Sequence, residues 1–152
     1  MIWKTIASSS PTETEDAGKL LASAMQSDSS LPPFVALYGD LGVGKTAFVR
    51  GFASVLSPTS AVRSPTFALV NEYRGGKRPL FHFDMYRIES EDDLYSIGFD
   101  DYLDRGICLT EWSENIPYAL PDEYFRVTIE KTDASSHPDQ RTITIERMER
   151  SC

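Results

Sequence analysis

Ile2–Ala7 makes a short strand candidate, and Ser8–Ser10 lead into Pro11, a residue suited to the first turn of a helix. Leu20, Leu21, Ala24 and Met25 recur at helical spacing and predict the buried face of that helix. Ser27–Ser30 and Pro32–Pro33 end it. Phe34–Tyr38 is a continuous apolar run closed by Pro33 and Gly39, the pattern of a strand covered on both faces in a parallel sheet. Past the glycines, Phe48, Val49, Phe52, Val55 and Leu56 return to helical spacing, and Pro58 lies just beyond. Strand, glycine loop and helix therefore follow one another.

Farther along, Phe67–Tyr73 and Leu80–Phe83 flank Gly75-Gly76, a hairpin signal. Ser90 can cap a helix whose first turn, Glu91, Asp92 and Asp93, suits the positive end of its dipole. Ile107–Thr110 is another apolar strand. Phe125, Val127 and Ile129 alternate with Arg126, Thr128 and Glu130, and Ile143 and Ile145 alternate with Thr142 and Thr144. These predict half-buried antiparallel partners joined by a polar loop, Lys131–Gln140. The predicted fold is α/β: a mixed, mainly parallel sheet flanked by helices, with antiparallel strands added. A length of 152 residues fits one domain over 1–152.

The glycine loop carries the chemistry. Gly39-Asp40-Leu41-Gly42-Val43-Gly44-Lys45-Thr46 matches G-x-x-x-x-G-K-[ST], between the strand and the helix that this phosphate-binding pattern requires. Glycines let the backbone curl until successive N–H groups point at phosphate oxygens. The helix starting at Lys45 adds the positive end of its dipole. The Lys45 ammonium neutralises the outer phosphates, and the Thr46 hydroxyl can ligate magnesium. A P-loop NTPase fold with bound nucleoside triphosphate and Mg2+ is the expectation.

Such a site needs an acid at the end of a neighbouring strand. Leu80–Phe83 leads to Asp84, and Ile107–Thr110 leads to Glu111; spacing alone does not choose between them. His82 reads as a packed or hydrogen-bonded histidine rather than a catalyst. Ser64-Pro65-Thr66 is either a turn before a strand or a loop whose Thr66 hydroxyl senses the terminal phosphate. Trp112 either covers the site or is an ordinary packed tryptophan. No N-K-x-D element for guanine is present, which favours ATP.

Charge narrows the partners. With a net charge of −8, the chain lacks the basic balance of proteins that bind nucleic acid on their own. Acidic stretches at Glu89–Asp93 and at Asp100, Asp101 and Asp104 read as solvated helix starts, although an acidic face could also meet a basic partner. The two cysteines, Cys108 and Cys152, have no metal spacing and predict no stable disulfide. No apolar run reaches the ~20 residues that span a bilayer, so a cytoplasmic location without membrane contact is expected.

Gly39–Thr46, then Ser64-Pro65-Thr66-Phe67, then His82-Phe83-Asp84-Met85-Tyr86-Arg87, then Glu111-Trp112, occur in order at suitable spacing. Together they resemble the bacterial TsaE family, from about Thr12 to Arg141. The resemblance implies an ATPase that supports a TsaD–TsaB pair in threonylcarbamoylation of the tRNA adenosine next to the anticodon, with tRNA reached only through those partners. It implies that Lys45 grips phosphate, that Thr46 and Glu111 hold magnesium, and that Asp84 serves hydrolysis. Thr66 would belong to a switch-like loop, and Thr12 and Thr14 would lie near the adenine. The nucleotide contacts would then comprise Gly39, Asp40, Leu41, Gly42, Val43, Gly44, Lys45, Thr46 and Ala47, with Trp112 beside them. Val43 replaces a frequent alanine, and Ala47 replaces a frequent second threonine, leaving one fewer hydroxyl near the α-phosphate. The rival readings are a small P-loop metabolite kinase, against which the lack of an obvious lid insertion counts, and a nucleotide sensor without catalysis.

Overall fold

The computed structural model describes residues 1–39, 43–57, 70–74, 78–86, 88–133 and 135–149. Four predicted elements appear with nearly the predicted bounds: β1 (Ile2–Ser8), α1 (Pro11–Ser27), β2 (Phe34–Tyr38) and α2 (Lys45–Leu56). Ser10 caps α1, its hydroxyl accepting the Glu13 N–H at 3.2 Å, and Pro11 opens the first turn. Then follow β3 (Val70–Tyr73), β4 (Leu80–Asp84), α3 (Glu91–Ser96), α4 (Phe99–Tyr102), β5 (Ile107–Glu111), β6 (Glu123–Asp133) and β7 (His137–Glu149). Ser90 caps α3 as its sequence suggests, accepting from the Asp93 N–H. No helix among the described residues is long and apolar enough to cross a membrane.

The sheet has seven strands in the order β1-β7-β6-β2-β5-β4-β3. Its centre is parallel: β2 pairs with β5 and β6, and β4 with β5. The edges are antiparallel: β1 with β7, β6 with β7, and β3 with β4. The sheet is thus evenly mixed rather than mainly parallel. Apolar runs mark the parallel centre, whereas the β1-β7-β6 ribbon and the β3–β4 pair add as many antiparallel pairings at the edges.

That ribbon also corrects the loop expected over Lys131–Gln140. Lys131 pairs with Arg141 and Asp133 with His137, so the strands run on through most of the polar stretch. Backbone hydrogen bonds hold this extension where no face is buried and no apolar alternation marks it.

Two hydrophobic layers cover the sheet. Val35, Leu37, Leu109 and Val127 pack under α1 and α2, whereas Phe34, Ala36, Phe81, Phe83 and Cys108 pack under α3, α4 and the turn at Ile116. The buried stripe of α1 is Thr14, Ala17, Gly18, Leu21, Ala22 and Met25, rotated from the predicted one, so that Leu20 and Ala24 are only half-buried. Small residues cause the rotation. A Cβ on Gly18 would lie 2.2 Å from the Phe48 carbonyl oxygen, and one on Gly51 would lie 1.9 Å from that of Glu15. The two helices touch backbone to backbone, and this seats the start of α2 against the start of α1.

Candidate functional site

The chain leaves β2 at Gly39 and enters α2 at Lys45, so the glycine segment joins a central strand to a buried helix. Gly39 has φ +149, and a Cβ there would meet the Ile129 carbonyl oxygen at 2.7 Å. Gly44 has φ +108, a left-handed conformation costly for other residues. No side chain caps α2, which leaves its first N–H groups available to an anion. Val43 is buried, and its carbonyl accepts from Arg141 Nε at 2.9 Å. Lys45 and Ala47 are buried, and Thr46 is exposed. Asp40, Leu41, Gly42 and Thr66 lie outside the described residues.

The two acid-ended strands meet in register: Asp84 pairs with Glu111, and Glu111 with Leu37 of β2. Glu111 is thus next to the strand that feeds the glycine segment, and Asp84 is one strand farther out. Period two puts Leu80, His82 and Asp84 on the same face as Ile107, Leu109 and Glu111, the α2 face. Burial pushes the Asp84 carboxyl up from its ordinary value; the Tyr86 N–H, donating to Asp84 Oδ1 at 3.0 Å, opposes this, the Glu111 charge adds to it, and Lys45 opposes it. His82 Nε2 donates to Glu111 Oε2 at 2.6 Å.

Trp112 follows Glu111 in the left-handed region, φ 58, where a bulky residue is uncommon. The turn brings its ring to Lys45, whose Nζ lies 4.6 Å from the ring centroid. Tyr86, largely exposed, stands against the same indole at 5.0 Å between centroids. Asn115 donates to the Met85 and Tyr86 carbonyls at 2.9 and 3.3 Å and fixes that turn. Tyr86, Glu89, Trp112 and Asn115 line a cavity of about 550 Å³. A larger one, about 730 Å³, lies over α3 and α4 with Glu91, Asp92, Asp100 and Asp101 in its lining. Its acidic lining suits no phosphate; the smaller cavity shares Trp112 with the Lys45 contact.

Thr14 is buried, its hydroxyl 2.7 Å from Ser8 Oγ and donating to the Ser10 carbonyl at 3.3 Å, while its methyl faces Gly44. Thr12 is exposed on the first turn of α1. Arg141 is a site neighbour that sequence reasoning missed. Besides its bond to Val43, it donates from Nη1 to the Pro138 and Gln140 carbonyls at 2.5 and 3.1 Å, tying the β6–β7 ribbon to the glycine segment. One arginine at the polar end of an alternating strand carries no local mark of that role.

The donor set fits magnesium. Among the described residues, no group of three His, Cys, Asp or Glu surrounds a metal position. Mg2+ characteristically takes one or two carboxylates and completes its shell with phosphate oxygens and water. Asp84 and Glu111 paired on adjacent strands, with exposed Thr46 at the start of α2, are such a partial set.

Comparison with known proteins gives a consistent relationship. The model of the family described as "Threonylcarbamoyl adenosine biosynthesis protein TsaE" matches residues 8–143. A tRNA threonylcarbamoyladenosine biosynthesis protein TsaE of Bacillus subtilis is 39% identical over 143 residues, covering 93% of this chain and 82% of that protein. One of the same description from a Nostoc species is 41% identical over 113 residues, covering 71% and 68%. The crystal structure of Bacillus subtilis YdiB superposes with a TM-score of 0.74 at 32% identity, covering 95% of this chain and 86% of the other.

Proposed function

The chain belongs to the TsaE family of tRNA threonylcarbamoyladenosine biosynthesis proteins, and we propose that within that pathway it is a magnesium-dependent ATPase of P-loop NTPase fold. The observation that carries this reading is Lys45. It is buried at the mouth of an uncapped helix, between the Trp112 ring and the face bearing Asp84 and Glu111.

The nucleotide phosphates take the N–H groups from Gly39 through Ala47, and Lys45 leaves the indole to neutralise the outer phosphates. Thr46 and Glu111 hold magnesium, which neutralises developing charge on the phosphates when bound. Asp84 orients the attacking water, and its raised affinity for a proton suits a group that accepts one. Thr66 responds to the terminal phosphate. The start of α1, with Thr12 and Thr14, borders the nucleoside side.

The chain acts in the cytoplasm, as a single domain, on behalf of TsaD and TsaB. At −8 it approaches tRNA only through those partners. ATP titration tests the site. Lys45→Ala should weaken binding about 10–100-fold, the loss of one charge-assisted contact, and unchanged affinity would refute the phosphate role. Reconstitution tests the partnership: multiple-turnover tRNA modification by TsaD and TsaB should need this chain and fail with Asp84→Ala. Equal product with wild type, Asp84→Ala and no added chain would refute it.

A further inference from the structure

His82 sits inside Leu80-Phe81-His82-Phe83, a strand segment buried throughout, and is itself 2% exposed. Its Nδ1 is buried with no hydrogen-bond partner among the described residues. Buried polar atoms without partners are uncommon and each calls for a reason. An apolar side chain would pack in this strand without leaving such an atom. What the imidazole supplies instead is one contact, the 2.6 Å bond to Glu111 Oε2. A carboxylate can only accept, so Nε2 carries the hydrogen.

We propose that His82 is a positioning residue for magnesium, acting through Glu111. The inference rests on the proposed role of Glu111 as a metal ligand. A glutamate side chain has several rotatable bonds, and an unrestrained carboxylate would have to be ordered by the metal itself. Here the imidazole N–H occupies one lone pair of Oε2, and rigid β4 holds the imidazole. The rest of the carboxylate's acceptor capacity stays free in a fixed orientation. Partners of this kind, one step behind the ligand, commonly govern metal affinity by 10–100-fold.

The test reads binding rather than turnover. ATP affinity is measured in EDTA and across a magnesium series for wild type, His82→Leu, His82→Asn and His82→Gln. All three variants should keep wild-type affinity in EDTA. His82→Leu and His82→Asn should raise the free magnesium needed for half-maximal ATP binding about tenfold or more. The asparagine amide is too short to reach the carboxylate. The glutamine amide can reach it, so His82→Gln should recover most of the loss. Asparagine and glutamine are both polar, so their contrast stands even if the leucine variant fails to fold. In a Glu111→Ala background, His82→Asn should shift the midpoint no further. A wild-type midpoint in His82→Asn, or a shift that persists without Glu111, would overturn the proposal. If Glu111→Ala alone leaves the magnesium dependence unchanged, the metal role of Glu111 fails, a different result from failure of His82 alone.

Discussion

The two faces of the sheet are built by different means. One is covered by α1 and α2, of 17 and 12 residues, which approach so closely at Gly18 and Gly51 that no side chain fits between them. Among the described residues, the other is covered by α3 and α4, of 6 and 4 residues, and the turn at Ile116, over an aromatic cluster. There Phe83 meets Phe99 and Tyr102 edge-on, at 5.2 and 5.3 Å between centroids, and Phe81 meets Tyr102 at 4.9 Å. Short helices contribute little order of their own, so interlocking rings supply it. The first face seats the end of β2 at Gly39 and the start of α2 at Lys45. The second fixes the far side of the strands that end in Asp84 and Glu111 and the turns that bring in Tyr86 and Trp112. Lys45 against Trp112 is where the two constructions meet.

That difference can be broken on either side. The largest effect is expected from Gly51→Ala, because the new Cβ would stand 1.9 Å from a backbone oxygen and the helices would have to separate. Overpacking of about 3 kcal/mol exceeds the ~1 kcal/mol that alanine returns as a helix former. Thermal unfolding should show a net loss of about 2 kcal/mol, and ATP affinity should fall with it as α2 moves. Phe99→Leu should cost about 1 kcal/mol through lost ring contacts on the other face, with ATP affinity nearly unchanged. Loss of ATP binding in Phe99→Leu, or its retention in Gly51→Ala, would show that the faces do not divide the work this way.

Much of this was legible in the sequence. Phe34–Tyr38 and the helix from Lys45 announce themselves because a buried strand must be apolar throughout and a nucleotide loop must be glycine-rich. The Ser90 cap is local chemistry, and local chemistry reads directly. The motif series Gly39–Thr46, His82–Arg87 and Glu111-Trp112 resembles TsaE, and the comparisons bear that out. Cys108 is buried, its thiol pushed up to about 12 by desolvation, with the Arg78 charge opposing. What was not legible depends on tertiary approach. Gly18 and Ala22 outweigh Leu20 on α1 because the partner helix comes within backbone distance, which no periodicity encodes. The Lys131–Gln140 stretch is extended by pairing alone. Arg141 reaches Val43 across 98 positions of sequence, and the His82–Glu111 bond depends on the register of β4 beside β5.

The smallest change in stability is expected at the seam itself, in Asp84→Asn, and its sign is opposite to the others. The Asp84 carboxyl binds its proton more tightly in the folded chain than in the unfolded one, chiefly because burial disfavours its charge. Stability from that proton is therefore fully present below the unfolded value, near 3.9, and is lost as pH rises through the higher folded value. At neutral pH the ionised group costs stability. Asparagine cannot ionise, and its carbonyl oxygen can still accept the Tyr86 N–H. Asp84 is only partly buried, and solvent screening limits the gain to about 0.5 kcal/mol, or ~1–2 °C in Tm for a chain of this size. Melts without magnesium or nucleotide should show the variant above wild type at pH 7, with the advantage shrinking as pH falls through the raised folded value and gone below the unfolded one, near 3.9. Under the proposed role of Asp84 in ATP hydrolysis, the same substitution should abolish it, and the carboxylate would then weaken the empty fold where the reaction needs it. A variant less stable at pH 7, or one whose advantage is unchanged at pH 4, would mean that the charge is already compensated before any cation arrives.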